Sequence, residues 1–456
     1  MTIYALSTGP GISGIAIVRV SGEDTKKVIK LLTNVELPKP RVATLRKINK
    51  INTSELIDEG IILWFPGPES YTGEDMAEFH IHGSKAVIDA LHHSISKIVN
   101  CRLAEAGEFT KLAFQNGKIN LLKAESIADL ISAETEIQRQ QAIKIMNGKS
   151  ADKFNSLREK LLKILSHVEA KIDFPDEDLP EDILKNIKKI SNEVILNIKK
   201  ILDDQKVGER IREGFKIAII GPTNAGKSSL LNHLSNRDAA IVSEIAGTTR
   251  DAIEDELIID GVAFRFIDTA GIRETNDRIE SIGIKKAYEK AENAQLIIFL
   301  IDSNKFSKSK EVFLSEIATI KNRFPKKRVL VIANKIDTIS TTEKNEIRAD
   351  IDDILLLSAK ENIGVETLLM HLTSLVNKGA LSNNETIVTN SRHFEALNNA
   401  LTAIISVKKG IDLEISTDLF SIDIRECLRH LGNITGEYDV DKDILGHIFS
   451  NFCIGK

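Results

Sequence analysis

The chain is poor in cysteine, in net positive charge and in long apolar runs. Its three cysteines, Cys101, Cys427 and Cys453, are spread over 456 residues. They are too few and too scattered for a disulfide framework or a zinc ribbon, which fits a reducing, cytoplasmic setting. No segment approaches the roughly 18 consecutive apolar residues of a membrane span, so no membrane contact is expected. No basic residue precedes Arg19, and the start reads as neither a signal peptide nor an Arg-rich transit peptide. With 61 Lys and Arg against 66 Asp and Glu, the formal net charge is -5. That balance gives no bulk attraction to nucleic acid, so any RNA contact must come from a local patch. What is present, 42% hydrophobic and 28% charged residues, describes a globular chain long enough for about three domains.

The segment that organises the rest is Gly221-Pro-Thr-Asn-Ala-Gly-Lys-Ser-Ser229, between the apolar run Phe215–Ile220 and Leu230-Leu-Asn-His-Leu. It satisfies the phosphate-loop pattern in the strand, loop, helix context the pattern requires. Glycines let the backbone wrap close to a polyphosphate, and the helix N-terminus points its amides at negative charge. Lys227 would neutralise the β and γ phosphates, and the Ser228 hydroxyl would hold Mg²⁺.

Four more segments follow in the order a GTPase needs. Gly247-Thr-Thr-Arg250 offers Thr249 to Mg²⁺ and the γ phosphate. Asp268-Thr-Ala-Gly271 puts a carboxylate at the end of the run Val262–Ile267. Asn334-Lys-Ile-Asp337 ends Val329–Ala333, and its aspartate can accept two N–H bonds from a guanine edge, which adenine does not offer. Ser358-Ala-Lys360 follows Ile354–Leu357 and can close over the base. The expected nucleotide contacts are Asn224, Ala225, Gly226, Lys227, Ser228 and Ser229, then Ser243, Glu244, Ile245, Ala246, Gly247, Thr248 and Thr249. They continue with Asp268, Thr269, Ala270 and Gly271, Asn334, Lys335, Ile336 and Asp337, and Ser358, Ala359 and Lys360. Five such segments in order specify GTP over ATP.

Upstream, Gly9-Pro-Gly-Ile-Ser-Gly14 formally matches a dinucleotide fingerprint, but a β-rich run follows where that motif needs a helix. A hairpin-like link from Ile3–Leu6 to a strand through Arg19 is the better reading, with a helix beyond Ser21-Gly22. Lys39, Arg41, Arg46, Lys47 and Lys50 make a basic, strand-like stretch, ordinarily a solvated edge. Glu78–His82 alternates as a half-buried strand; His80 and His82 share a face but lack a third ligand at metal spacing. Ala106–Lys118 reads as a capped helix ending at Gly117. Beyond Leu121, apolar residues recur at helical spacing from Phe154 to Ile172 and from Ile183 to Ile201; Asp173-Phe-Pro175 breaks the first and Asp203-Asp204 loosens the second. Helical texture returns after about residue 379. The expected architecture is multidomain α/β: an N-terminal α/β domain over 1–118, a helical bundle over 119–212 and 380–456, and an inserted Ras-like P-loop GTPase domain over 213–379.

Several stretches outside the nucleotide segments carry a family resemblance: Gly14-Ile-Ala-Ile-Val-Arg-Val-Ser-Gly22, Ser70-Tyr-Thr-Gly-Glu-Asp75, Gly107-Glu-Phe-Thr110, His167–Pro175 and Ile448–Lys456. With them the chain resembles, over its whole length, the MnmE (TrmE) family of tRNA-modifying GTPases. The resemblance implies a homodimer joined through N-terminal domains. It also implies a heterotetramer with the flavoprotein MnmG that adds a carboxymethylaminomethyl or aminomethyl group to C5 of the wobble uridine of certain tRNAs. It further implies a 5-formyltetrahydrofolate site at Arg19, Glu78, Lys118 and Lys456, with Cys453 a candidate for the one-carbon step. Pro222-Thr223, Ala106, Ser84 and Asn120 depart from the family's usual wording without removing a charged ligand.

Ras-like enzymes orient the attacking water with a glutamine after the aspartate-x-x-glycine segment. Here that position is Ile272, which cannot do so. The resemblance assigns the task to Glu280. It replaces an arginine finger with K⁺ held by Asn224, Ser243, the Ile245 carbonyl and Thr248, which would offset transition-state charge. Two other readings use the same nucleotide segments: a ribosome-assembly factor, which would bring an RNA-binding KH-type domain or a second GTPase domain, and a regulatory switch without one-carbon chemistry.

Overall fold

The computed structural model describes all residues except 54, 174–181, 223, 236–253, 260, 268–290, 307–308, 326, 378–389, 414–416, 438–441 and 451. It divides into two compact units. One comprises Met1–Ile131, Ile143–Ile195 and Ala396–Lys456; the other comprises Ser132–Ala142 and Leu196–Glu395.

The first unit contains a six-stranded sheet in the order β3-β4-β5-β2-β1-β6. Its strands are β1 (Thr2–Leu6), β2 (Ser13–Ser21), β3 (Thr44–Asn49), β4 (Leu56–Phe65), β5 (Met76–Gly83) and β6 (Cys101–Leu103). All neighbours are antiparallel except β1 and β6. The β1–β2 pair is the hairpin-like link expected from the sequence. Alternation sorts the side chains: Val18, Val20, Ile62, Phe79 and Ile81 bury under α1 (Thr25–Thr33) and α2 (Lys85–Ser96), which contribute Val28, Leu32, Leu91 and Ile95. On the opposite face Ile3 and Ala5 meet Phe109 and Leu112 of α3 (Glu108–Gln115).

The helical part of this unit includes α4 (Leu121–Ile131) and α6 (Lys149–Asp173). In α6, Phe154, Leu157, Leu161, Ile164 and Val168 are buried on one stripe. The described part of α6 reaches Asp173, the residue before the Phe-Pro pair. Ion pairs Arg158–Glu437 and Glu169–Arg425 align α6 antiparallel to a helix over Thr417–Thr435. The connecting α5 (Glu136–Met146) and α7 (Asp182–Glu213) each pass from one unit into the other. Contrary to expectation, α7 runs unbroken through Asp203 and Asp204. Aspartate costs only a few tenths of a kcal/mol inside a helix, too little to stop one flanked by Ile, Lys, Glu and Arg.

The second unit holds a sheet in the order β12-β11-β10-β7-β9-β8. Its strands are β7 (Phe215–Ile220), β8 (Glu254–Ile259), β9 (Val262–Ile267), β10 (Leu296–Asp302), β11 (Arg328–Asn334) and β12 (Leu355–Leu356). Only the β8–β9 pair is antiparallel. Strands buried on both faces read as continuous apolar runs, and every residue of β10 is buried. Ile217, Ile219, Ile298 and Leu300 pack with Leu230 and Leu234 of α8 (Lys227–Ser235). Ala218, Ile297, Phe299 and Ile301 face Phe313 and Ile317 of a helix over Lys310–Arg323. On β8, burial and a hydrogen bond with Glu134 push the Glu256 carboxyl up to about 7, although Arg265 lies 3.4 Å away.

Candidate active site

In the doubly wound second unit, β7 continues to β9 on one side and β10 on the other, so the loop after β7 opens at the switch point where such sheets bind ligands. A Cβ on Gly221 would overlap the Leu300 carbonyl oxygen, and one on Gly226, at φ +93°, would overlap Asn334 Nδ2. Glycine is therefore required at both positions for the loop to lie this close to its neighbours. The Lys227 ammonium crosses the loop, donating to the carbonyls of Gly221 at 2.7 Å and Pro222 at 2.9 Å. Ser228 and Ser229 are exposed in the first turn of α8.

Asn334, buried at the end of β11, joins three loops. Its Nδ2 donates to the Ala225 carbonyl at 2.9 Å, and its Oδ1 accepts from the amides of Lys335 at 2.8 Å and Ala359 at 3.1 Å. Lys335, at φ 66°, donates from Nζ to the Asn224 carbonyl at 2.8 Å and to Asp302 Oδ2 at 2.7 Å. Ile336 is buried and Asp337 is exposed. The Ser358 hydroxyl holds the Asp337 carboxyl below its ordinary range, keeping it an anion that can accept from a base. Lys360 is exposed beside Glu361. Thus the first, fourth and fifth nucleotide segments meet. Ser243, Glu244, Ile245, Ala246, Gly247, Thr248, Thr249, Asp268, Thr269, Ala270, Gly271 and Glu280 lie outside the described residues. The sequence reading missed Asp302; its signal was a carboxylate closing the apolar run Leu296–Ile301.

In the first unit Arg19 and Glu78 are register partners on β2 and β5. Glu78 Oε1 accepts from Arg19 Nη2 at 2.9 Å and Nε at 3.2 Å, and the guanidinium lies 5.6 Å from the Tyr71 ring centroid and 5.7 Å from that of Phe109. Burial raises the Tyr71 hydroxyl's pKa. Tyr71 and Phe109 lie in motifs singled out in the sequence, yet neither was given a role there. Glu78 Oε2 also contacts His80 Nε2 at 3.3 Å, while His82 pairs with Asp58. Among the described residues no cluster of three His, Cys, Asp or Glu side chains could hold a metal.

The segment from Cys453 to Lys456 returns to this sheet. Ser7 Oγ donates to the Gly455 carbonyl at 2.9 Å, and Ile454 bridges Ala106. The Gly107 amide donates to the Cys453 carbonyl at 3.4 Å. Ser7 follows Leu6 and lies two residues beyond Ala5, the register partner of Arg19. Phe449 and Phe452 anchor the segment against Phe114, Leu121 and Ala124. Cys453 is exposed, Lys456 half-buried, and Lys118 exposed beside Gly73.

A parallel sheet with a lysine-bearing phosphate loop at its switch point, joined to an asparagine-lysine-x-aspartate base loop, defines a P-loop GTPase, an enzyme that hydrolyses GTP. A model of the GTP-binding protein TrmE N-terminus matches residues 2–118, and one of the MnmE helical domain matches residues 121–453. The chain is 68% identical over 456 residues to the tRNA modification GTPase MnmE of Pelagibacter ubique, covering 100% of both chains. To the MnmE of Flavobacterium johnsoniae it is 45% identical over 463 residues, covering 100% of this chain and 99% of that one. A solved structure of Aquifex aeolicus Era bound to GDP.AlF4- aligns at 25% identity over 42% of this chain and 66% of that one, with a TM-score of 0.27. The chain belongs to the MnmE family of tRNA modification GTPases. Among the described residues no helix is long and apolar enough to cross a membrane.

Proposed function

We propose that this chain is a potassium-activated GTPase that acts in the cytoplasm with an MnmG flavoprotein. Together they would add a carboxymethylaminomethyl or aminomethyl group to C5 of the wobble uridine of certain tRNAs, drawing one carbon from a tetrahydrofolate such as 5-formyltetrahydrofolate. The observation that carries the reading is the return of Cys453–Lys456 to the sheet that bears Arg19 and Glu78. A GTPase acting only as a switch has no need of such a second, polar and aromatic-walled site.

The residues suit the ligands. Gly226 lets the phosphate loop pack closely on Asn334, Lys227 is the cation beside it, and exposed Ser228, with Thr249, would hold Mg²⁺. The Asn224 carbonyl is engaged by Lys335, and the side-chain oxygen of this exposed residue would be the one to meet K⁺, with Ser243, Ile245 and Thr248 as the other ligands. A bound K⁺ would offset charge as the phosphoryl group transfers. Glu280 would orient the attacking water. Half-buried Tyr71 flanks the Arg19–Glu78 pair, and would give a pterin an aromatic face beside a carboxylate that accepts from its N–H groups, with fully buried Phe109 backing the guanidinium from the core; Lys118 and Lys456 would pair with the glutamyl end. Cys453, exposed on the same segment, is the candidate thiol.

The proposed division is a folate-binding and dimerisation domain over 1–118, a helical domain over 119–212 and 380–456, and a GTPase domain over 213–379. A homodimer is supported by the outer face of the first sheet, where exposed Leu45 and Ile61 lie in register with His80 and Ile17, an apolar stripe a second copy would cover. The test is GTP turnover in potassium against sodium, with molecular size measured in parallel. Potassium-specific acceleration is expected, and equal rates in both salts would remove the ion from the mechanism.

A further inference from the structure

The last residue of β10 carries a carboxylate that none of the nucleotide motifs claims. The Asp302 side chain is 7% exposed, and its Oδ2 accepts from Lys335 Nζ at 2.7 Å. Its Oδ1 accepts from the Asn304 amide at 3.0 Å and from Asn304 Nδ2 at 3.3 Å. Asn304 Nδ2 in turn donates to Thr338 Oγ1 at 2.6 Å. Burial alone would push this carboxyl up, but the Lys335 and Asn304 bonds outweigh it and hold the group below its ordinary range. Its anion is therefore a fixed point beneath the base loop.

From that point the same lysine reaches the phosphate loop. Lys335 Nζ donates to the main-chain carbonyl of Asn224, which stands at the left-handed φ of 64°. A lysine is a flexible four-carbon stem with three rotatable donors, and its direction has to be set by a partner. Here the partner is Asp302, which leaves a second donor aimed at Asn224. Ser303, next along the chain, donates from Oγ to the Asn334 carbonyl at 2.6 Å and ties the end of β10 to the same loop.

We propose that Asp302 is a positioning residue for the cation end of the nucleotide site: through Lys335 it holds Asn224 so that the asparagine side chain meets a monovalent cation. The inference rests on the reading of Asn224 as a potassium ligand. It makes base recognition and cation capture parts of one hydrogen-bonded frame, because Lys335 serves both.

The test uses the full chain. GTP turnover is titrated with potassium at constant ionic strength for the wild type, Asp302→Asn and Asn224→Ala, and release of a fluorescent GDP analogue is measured in sodium. For Asp302→Asn the half-activating potassium concentration is expected to rise about tenfold, the loss of one charge-assisted bond, with kcat at saturating potassium within about twofold of wild type. The analogue should leave about tenfold faster. Asn224→Ala should lose potassium stimulation at every concentration. Superimposable potassium curves for the wild type and Asp302→Asn would overturn the positioning role. If the wild type itself ignores potassium, the Asn224 reading fails, and release in sodium decides about the brace: faster release from Asp302→Asn upholds it, unchanged release ends it. Should Asp302→Asn not fold, Asn304→Ala removes one donor to the same carboxylate, with a shift of about twofold to threefold expected in the same constants. No shift there would equally overturn the proposal.

Discussion

Gly455→Ala separates the second site from the GTPase. Gly455 stands at φ +94°, and an added Cβ would overlap the Leu6 carbonyl oxygen. The left-handed conformation costs alanine about 1–2 kcal/mol. Lifting the segment to clear Leu6 forfeits the Ser7 to Gly455 bond, worth about 1 kcal/mol, and the longer, weaker bond from Gly107 to Cys453. The sum, about 2–3 kcal/mol against the seated segment, lowers its seated population relative to the displaced one by roughly 50-fold. Binding of 5-formyltetrahydrofolate by calorimetry should weaken in proportion to the seated fraction lost, with that factor as its upper bound, and limited proteolysis should begin to cut near Phe452. GTP turnover without tRNA should change by less than about twofold. Gly446→Ala is the control: nothing lies within 4 Å of its added Cβ, and an exposed helical Gly→Ala change stabilises by about 1 kcal/mol. A Gly455→Ala protein with wild-type folate affinity and a protected C-terminal segment would refute the reasoning.

Other perturbations act on the frame of each unit. The Glu256 carboxyl is raised by burial and by Glu134, so the folded chain binds an extra proton between the ordinary carboxyl pKa and about 7. Its stabilising contribution is full below about 4.5 and lost as pH rises through about 7. Melting followed from pH 5 to pH 8 should show that decline for the wild type and a flatter profile for Glu256→Gln. Asn334→Ala leaves the Ala225 carbonyl and the Lys335 and Ala359 amides without their shared partner; it should cost about 2–4 kcal/mol in denaturant unfolding and abolish measurable GDP binding. Phe79→Ala, at a fully buried position of the first sheet, should cost about 3–5 kcal/mol by the same measurement without changing nucleotide affinity.

What the chain discloses by itself is whatever depends on near neighbours. The runs Phe215–Ile220 and Leu296–Ile301 are apolar because both faces are covered, and the alternation of Met76–Gly83 reports one covered face. The Phe-Pro pair after Asp173 is a local steric signal against continuing a helix. Pairings set by register or by tertiary packing are invisible to that reading. Arg19 meets Glu78 because two strands align across 59 residues, and Asp302 finds Lys335 because parallel neighbours end level with one another. Arg19 and Glu78 read in isolation as two separate ligands; folded, each is the other's counter-ion. The unbroken course of α7 through two aspartates was likewise decided by the whole helix.

The bond from Ser7 to Gly455 closes a chain separation of 448 residues. Contacts at such a distance form after local ones, because ordering the intervening chain comes first. During synthesis the nucleotide-binding sheet emerges and can fold while the first sheet still waits for the Cys453–Lys456 segment. A ribosome-bound chain would therefore be able to capture GTP before the surroundings of Arg19 and Glu78 are complete, and a fragment released before Cys453 would lack that closure.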